Sequence, residues 1–329
     1  MKIRKYFILK LIAALFLFWV ALFIFLRNPV PEGEALQRPI TVNIENLKQD
    51  TYFLAGIKPS RSSVHPASVL EAEKYVMNRL KEIGYEWTLQ EVKGEQGQVF
   101  HNIIFRYGAS DSKDVVVIGA HLDSCDVDNP GADDNASGVA GLLELARFFK
   151  EQKPEVKTPI EFVVWALEEP PYFETEMMGS AVHANNLRDK GYNVKYAISL
   201  EMIGYFSNDS FSQEFPVRLL YLFYPNKGNF IGVIASPAER ALVRDMKKAM
   251  NANSDLEAYS LNAPAVVPGV DFSDHRNYWK HGWPAVMVTD TSFYRNHAYH
   301  TPEDTPERLD YVKMGEVVKG VYAALLSLQ

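Results

Sequence analysis

Val115-Val-Val-Ile-Gly-Ala-His121-Leu-Asp123 runs six residues without a polar side chain straight into a histidine and an aspartate. Such a run, rich in branched apolar residues, reads as a strand buried on both faces, as in a parallel sheet covered by helices. Side chains of metal-ligand type at its exit therefore emerge at the carboxyl edge of that sheet, where open α/β folds collect ligands.

The pattern repeats outward from there. Residues 69–83 place Leu70, Tyr75, Val76, Leu80 and Ile83 at helical spacing, with Gly84 as a stop. Residues 87–92 and 99–107 alternate like strands around Gly94 and Gly97, which predicts a hairpin. Helices are expected at 137–150, 179–187, 237–250 and 309–328, and strands at 160–166, 196–200, 219–223, 230–234 and 284–288. Strands alternating with helices of these lengths make βαβ units. The predicted fold is α/β, one domain with a mostly parallel central sheet flanked by helices.

The chain has 329 residues, 47% hydrophobic and 23% charged, enough to fill a large core. Its net charge of −7 shows no basic stripe, so nucleic acid is not an expected partner. The single cysteine, Cys125, rules out an intramolecular disulfide. Close to His121 in sequence, it reads as a small half-buried thiol rather than a ligand.

Lys2, Arg4, Lys5 and Lys10 lie at the head of an apolar stretch, residues 6–26, that can cross a bilayer as one helix. Their charge predicts a single-pass anchor with a cytoplasmic N-terminus and the folded domain on the external, periplasmic or lumenal side. A cleaved signal peptide is the rival reading; the stretch is long for one, and Gly33-Glu34-Ala35 matches a cleavage site poorly. The expected organisation is an anchor at 1–27, a linker at 28–45 bearing Pro29, Pro31, Gly33 and Pro39, and one domain at 46–329.

Five residues of ligand type lie at or just beyond strand ends: His121, Asp134, Glu169, Glu201 and His300. Imidazole and carboxylate suit a borderline-soft cation such as Zn²⁺. Asp123, two residues past His121 on extended backbone, projects to the same side and can accept the imidazole's second N–H. Gly131-Ala-Asp-Asp-Asn-Ala-Ser-Gly138 opens a helix whose dipole favours acidic residues, although an ordinary N-cap explains the cluster too. Glu168 and Glu169 end a strand and point to opposite sides, so one can hold metal while the other faces a reacting water. Solvated carboxylates are the alternative, disfavoured by the stiff Pro170-Pro171 that follows. A lone histidine is more often structural, and His297 competes with His300. The agreement of five strand-end positions is what points to a metal site.

With Glu168-Glu169 and the later Gly179-Ser180, Ser273-Asp-His275, and His300-Thr301 followed by Asp304-Thr305, the chain resembles the aminopeptidase Y family of co-catalytic di-zinc exopeptidases over residues 115–310. The resemblance implies a zinc-exopeptidase fold at 46–329, a peptide substrate and two Zn²⁺. Asp134 would bridge the ions, His121 and Glu201 would complete one, and Glu169 and His300 the other. Glu168 would be the catalytic base and acid acting on a water activated by the ions, Asp123 would orient His121, and the Asp134–Asn135 peptide would be cis. A free α-amine docked at the metals would restrict cleavage to the first residue. His275 and Tyr294, near His300 in sequence, are candidates for substrate binding.

Two features depart from the family pattern. Glu201 stands where aspartate is usual, and residues 170–178 lengthen the connection after Glu169, which leaves substrate preference open. A glutaminyl cyclase-like single-zinc enzyme and a non-catalytic receptor-like domain are the alternatives; His121 argues against the first and the intact ligand set against the second.

Overall fold

The computed structural model describes residues 2–38, 40–109, 111–125 and 128–329. Helix α1 (Lys2–Arg27) carries the N-terminal apolar stretch. Helix α2 (Ile44–Gly56) follows, capped by the Asn43 side chain, which accepts from the amides of Glu45 and Asn46. Then come α3 (Pro66–Ile83), β1 (Trp87–Lys93), β2 (Val99–Tyr107) and β3 (Asp114–His121). A helix–strand alternation continues with α4 (Gly138–Gln152), β4 (Ile160–Trp165), α5 (Gly179–Asp189), β5 (Asn193–Glu201), β6 (Ile231–Ala235) and α6 (Arg240–Asn253). The remainder is β7 (Ala258–Asn262), the single turn α7 (Arg276–Trp279), β8 (Ala285–Thr289) and α8 (Tyr311–Ser327).

All eight strands join one sheet in the order β1-β2-β4-β3-β5-β8-β6-β7. Its centre, β4-β3-β5-β8, is parallel, whereas the β1–β2 hairpin and the β2–β4 and β6–β8 pairings are antiparallel. The sheet is therefore mixed, with the expected parallel character confined to the strands that matter for the site. From β3 the chain passes through α4 to β4 on one side, then through α5 to β5 on the other. That reversal makes the carboxyl end of β3 a topological switch point, where such sheets open a crevice.

β3 is buried over residues 115–121, and its alternate side chains serve two cores. Val116, Ile118 and Ala120 pack with α2, α3, α4, α6 and α8, while Val115 and Val117 pack with α5 and α7. Each buried Val or Ile here stabilises the sheet by about 1.5–3 kcal/mol. Gly119 is required by crowding: a Cβ there would stand 2.3 Å from the Val163 carbonyl and 2.7 Å from the Trp165 ring.

Three elements differ from expectation. Residues 219–223 are not a strand; Arg218–Leu222 is a 3₁₀ turn on the surface, with Leu219 and Leu222 exposed. A short continuous apolar run does not by itself distinguish a buried strand from a surface turn. Helix α2 and the short strand β7, parallel to β6, were not anticipated. Much of the stretch expected as a linker lies along α6: the Asn253 side chain accepts from the Leu36 amide and donates to the Glu34 carbonyl. Cations of α6 also grip the end of α1, Arg240 donating to the carbonyls of Ile24 and Phe25, and Lys247 to those of Arg27 and Asn28. Among the described residues one helix, Ile8–Arg27, is long and apolar enough to cross a membrane.

Candidate metal centre

His121 ends β3, Glu168 and Glu169 lie three and four residues past β4, and Glu201 ends β5, so adjacent parallel strands deliver all four to the switch point. Asp134 arrives from the turn before α4 and His300 from the loop after β8. The structure brings these six together. His121 Nε2 stands 3.4 Å from Asp134 Oδ1 and 3.4 Å from Glu201 Oε2. His300 Nε2 stands 3.1 Å from Asp134 Oδ2 and 3.1 Å from Glu169 Oε2. The two oxygens of Asp134 thus face two separate imidazole–carboxylate clusters. Glu168 Oε2 lies 3.9 Å from His121 Nε2.

These groups have the chemistry of a zinc site. They are imidazole nitrogens and carboxylate oxygens converging in a buried space. Glu169 Oε1 is buried without a hydrogen-bond partner, and His300 Nε2 makes no well-formed hydrogen bond despite its two close oxygens. Atoms so placed point at a common centre rather than at one another. Cys125 is half-buried, as expected, but its sulfur also lies within 4.8 Å of ligand atoms of Glu169 and His300. That makes it a further candidate ligand.

Crowding of carboxylates perturbs every group. Burial and the Asp134 carboxylate push Glu169 up to about 8, and burial raises Glu168 well above its ordinary value. Burial also drives Asp274, immediately after Ser273, up to about 7. In Asp134 burial acts upward too, but hydrogen bonds from the two imidazoles outweigh it and hold the carboxyl low. Burial presses the His121 imidazole down, and Glu201 and Glu168 overcome it, leaving it well above normal. Gathered carboxylates of this kind favour a multivalent cation over separate protons.

The supports are largely backbone. Asp123 Oδ1 accepts the Glu168 amide and Oδ2 the Glu169 amide, each at 3.0 Å. Its carboxylate is 3.6 Å from His121 Nδ1, beyond a hydrogen bond, and that nitrogen instead donates to the Asp123 carbonyl at 3.2 Å. The orienting group for His121 is thus the backbone of Asp123, and its carboxylate serves the glutamates. Asp304 accepts the amides of Asp133 and Asp134 from the far end of the chain. The cis Asp134–Asn135 peptide is present. Fully buried Arg61 donates to the carbonyls of Leu54, Leu122, Pro130 and Gly131, tying the segment after His121 to the turn that carries Asp134. Leu167, Met202 and His300 have φ of 57°, 51° and 57°. This left-handed region costs side-chain-bearing residues of order 1–3 kcal/mol each, and these three flank or carry the site's side chains.

Residues 102–325 match the model of Peptidase family M28, a stretch from β2 to α8 that contains all six groups. The chain belongs to peptidase family M28. Its members are zinc metallopeptidases, and the assignment makes this protein one. It is 41% identical over 321 residues to uncharacterized protein YfbL of Escherichia coli K12, covering 94% of this chain and 96% of that one. A probable leucine aminopeptidase of Arthroderma otae is 27% identical over 256 residues, covering 71% of this chain and 63% of the relative. The fold is shared with the LapA aminopeptidase of Legionella pneumophila, at TM-score 0.68 and 22% identity over 87% of this chain and 71% of that one. It is also shared with a glutaminyl cyclase of Bacteroides thetaiotaomicron, at TM-score 0.64 and 18% identity over 88% of this chain and 99% of that one.

In this M28 chain the remaining expectations divide. Tyr294 lines an apolar cleft that reaches Glu201 and is also walled by Val270, Phe272, Met287 and Phe293. His275 does not line it: the imidazole is fully buried, contacts the Val270 carbonyl at 2.9 Å and abuts Trp279 edge-on. Two residues earlier, Ser273 donates to Glu201 Oε2 at 2.7 Å. His297 is exposed and leaves the ligand position to His300. The longer connection after Glu169 is pinned to the cleft rim, Phe173 meeting Phe272 edge-to-face and Glu174 accepting from Arg276.

Proposed function

We propose that this M28 peptidase is a di-zinc aminopeptidase that releases bulky apolar residues from peptide N-termini. The observation that carries the reading is the two-faced Asp134, with one oxygen toward His121 and Glu201 and the other toward His300 and Glu169. His121, Asp134 and Glu201 would hold one ion, and Asp134, Glu169 and His300 the other. Zinc bound there would supply Lewis acidity, acidifying water and polarising the scissile carbonyl.

The protein's own contribution is a mobile proton at a fixed place. Glu168 is 6% exposed, and burial raises its affinity for a proton. It would take the proton of the attacking water and deliver it to the leaving amine. Asp123, by holding the Glu168 amide, fixes where that exchange occurs. The cleft beside Glu201 would take the side chain of the first residue, and Phe272, Phe293 and Met287 offer it an apolar wall. We place the domain outside the membrane that Ile8–Arg27 spans, with the N-terminus cytoplasmic, since basic residues precede the span.

The full chain, purified in detergent, should hydrolyse leucyl- and phenylalanyl-anilides, lose that activity on chelation and regain it with zinc. Activity that survives complete zinc removal overturns the reading. Glutaminyl cyclisation is the second reading, favoured by the fold shared with the Bacteroides enzyme. It wins if N-terminal glutamine is cyclised while no anilide is cleaved.

A further inference from the structure

The surface segment that disappointed the strand expectation carries an unusual load. Phe211 is 75% exposed, Leu222 65%, Val217 54% and Leu219 51%, all within one short stretch around the 3₁₀ turn Arg218–Leu222. Contiguous apolar exposure of this kind marks an interaction surface.

What it meets is indicated by its neighbour. The same segment packs on α1: Leu220, Phe223 and Tyr224 form a cluster with Leu22, Phe23 and Leu26, and Phe223 stacks on Trp19 at 6.1 Å. Arg27 donates to the Phe223 carbonyl, and the Tyr224 hydroxyl donates to the Leu26 carbonyl. Trp19 precedes Arg27 by eight residues, a rise of ~12 Å at 1.5 Å per residue. Phe223 thus lays its ring beside the apolar span while its carbonyl meets Arg27 at the polar end. If α1 crosses a bilayer with Arg27 at the headgroups, this turn cannot remain in water. The composition of residues 217–222 suits the boundary layer: apolar residues outward, with Tyr221 and one long cation, Arg218, able to reach the headgroups.

We propose that residues 217–223 sit in the outer leaflet of the bilayer that α1 spans, as a second, monotopic attachment of the domain. The inference rests on the membrane-anchor reading given above. It bears on substrate too, because Leu220 of this segment, with Phe215 and Tyr224 on either side of it, also lines the cleft that reaches Glu201. A cleft with a lipid-embedded wall receives peptides whose apolar N-terminal part already lies in the membrane boundary.

The test uses the full chain reconstituted in phosphatidylcholine vesicles that contain a phosphatidylcholine with a photoreactive diazirine on its acyl chain. After irradiation, adducts are mapped by peptide mass spectrometry. Adducts on residues 217–223 as well as 8–27 are the expected result. Adducts on 8–27 with none on 217–223 overturn the proposal and leave the anchor intact. No adducts on 8–27 remove the anchor reading, and this proposal with it. The double variant Leu219→Glu/Leu222→Glu gives a second readout, since neither side chain lines the cleft. It should cleave a soluble leucyl-anilide at the normal rate and a vesicle-bound peptide with an apolar N-terminus about tenfold more slowly. Equal rates, or equal losses, on the two substrates contradict the substrate claim.

Discussion

Asp123→Asn perturbs the site without removing a ligand or the base. In the native protein the two carboxylate oxygens accept the amides of Glu168 and Glu169 at 3.0 Å each, and the residue is 1% exposed. Hydrogen bonds to a charged group contribute about 1.5–3 kcal/mol apiece, so the pair contributes roughly 3–6 kcal/mol. Asparagine has the same shape but one acceptor. Its oxygen keeps one amide, without the help of charge, and its NH₂ faces the other amide donor to donor. The net loss is roughly 2–4 kcal/mol, concentrated on the turn that aims Glu168 and Glu169. Loosening a metal ligand's support costs about 10–100-fold in metal affinity or rate. The variant should therefore bind zinc about 10–100-fold more weakly in competition with a chelator and lose a similar factor in kcat/KM on leucyl-anilide. Its circular dichroism spectrum should match that of the parent. Parental zinc affinity together with parental rate would refute the role given to Asp123.

Glu168→Gln should keep its zinc and lose about 10²–10⁴ in kcat, measured beside the metal content of the same preparation. Normal turnover would remove Glu168 from the mechanism. Gly119→Ala forces a methyl to 2.3 Å from the Val163 carbonyl, and should lower stability by about 1–3 kcal/mol; an unchanged melting temperature contradicts the packing described for β3 and β4. Phe293→Ala opens the apolar wall of the cleft and should reduce the preference for leucine over alanine at the first residue by about tenfold or more, read as a ratio of kcat/KM values. An unchanged ratio places the side-chain pocket elsewhere.

The central strands and the groups at their ends were legible because both signals are local. An apolar run that stops at His121 or Glu201 states strand, exit and ligand type in a few residues. What supports those groups was not legible. Arg61 looks like any surface cation in the sequence, yet it is fully buried with only carbonyls for partners, two of them some seventy residues away. Asp304 likewise serves amides 170 and 171 residues distant, a relation that only the folded chain creates. His275 failed for the opposite reason: a residue near a ligand in sequence has no obligation to turn toward it. Residues 219–223 show the limit of periodicity, which finds an apolar face but not the medium it faces. Helix α2 was recoverable, since Leu47, Thr51 and Leu54 fall on one buried stripe behind the Asn43 cap.

The account turns on Asp134 serving two cations at once. Zinc per chain, measured by elemental analysis of the full-length protein across a zinc titration, tests it most directly. Two equivalents, falling to one in both His121→Ala and His300→Ala, is the predicted result. A single equivalent in the parent, or a count that neither substitution changes, would contradict the shared-carboxylate site.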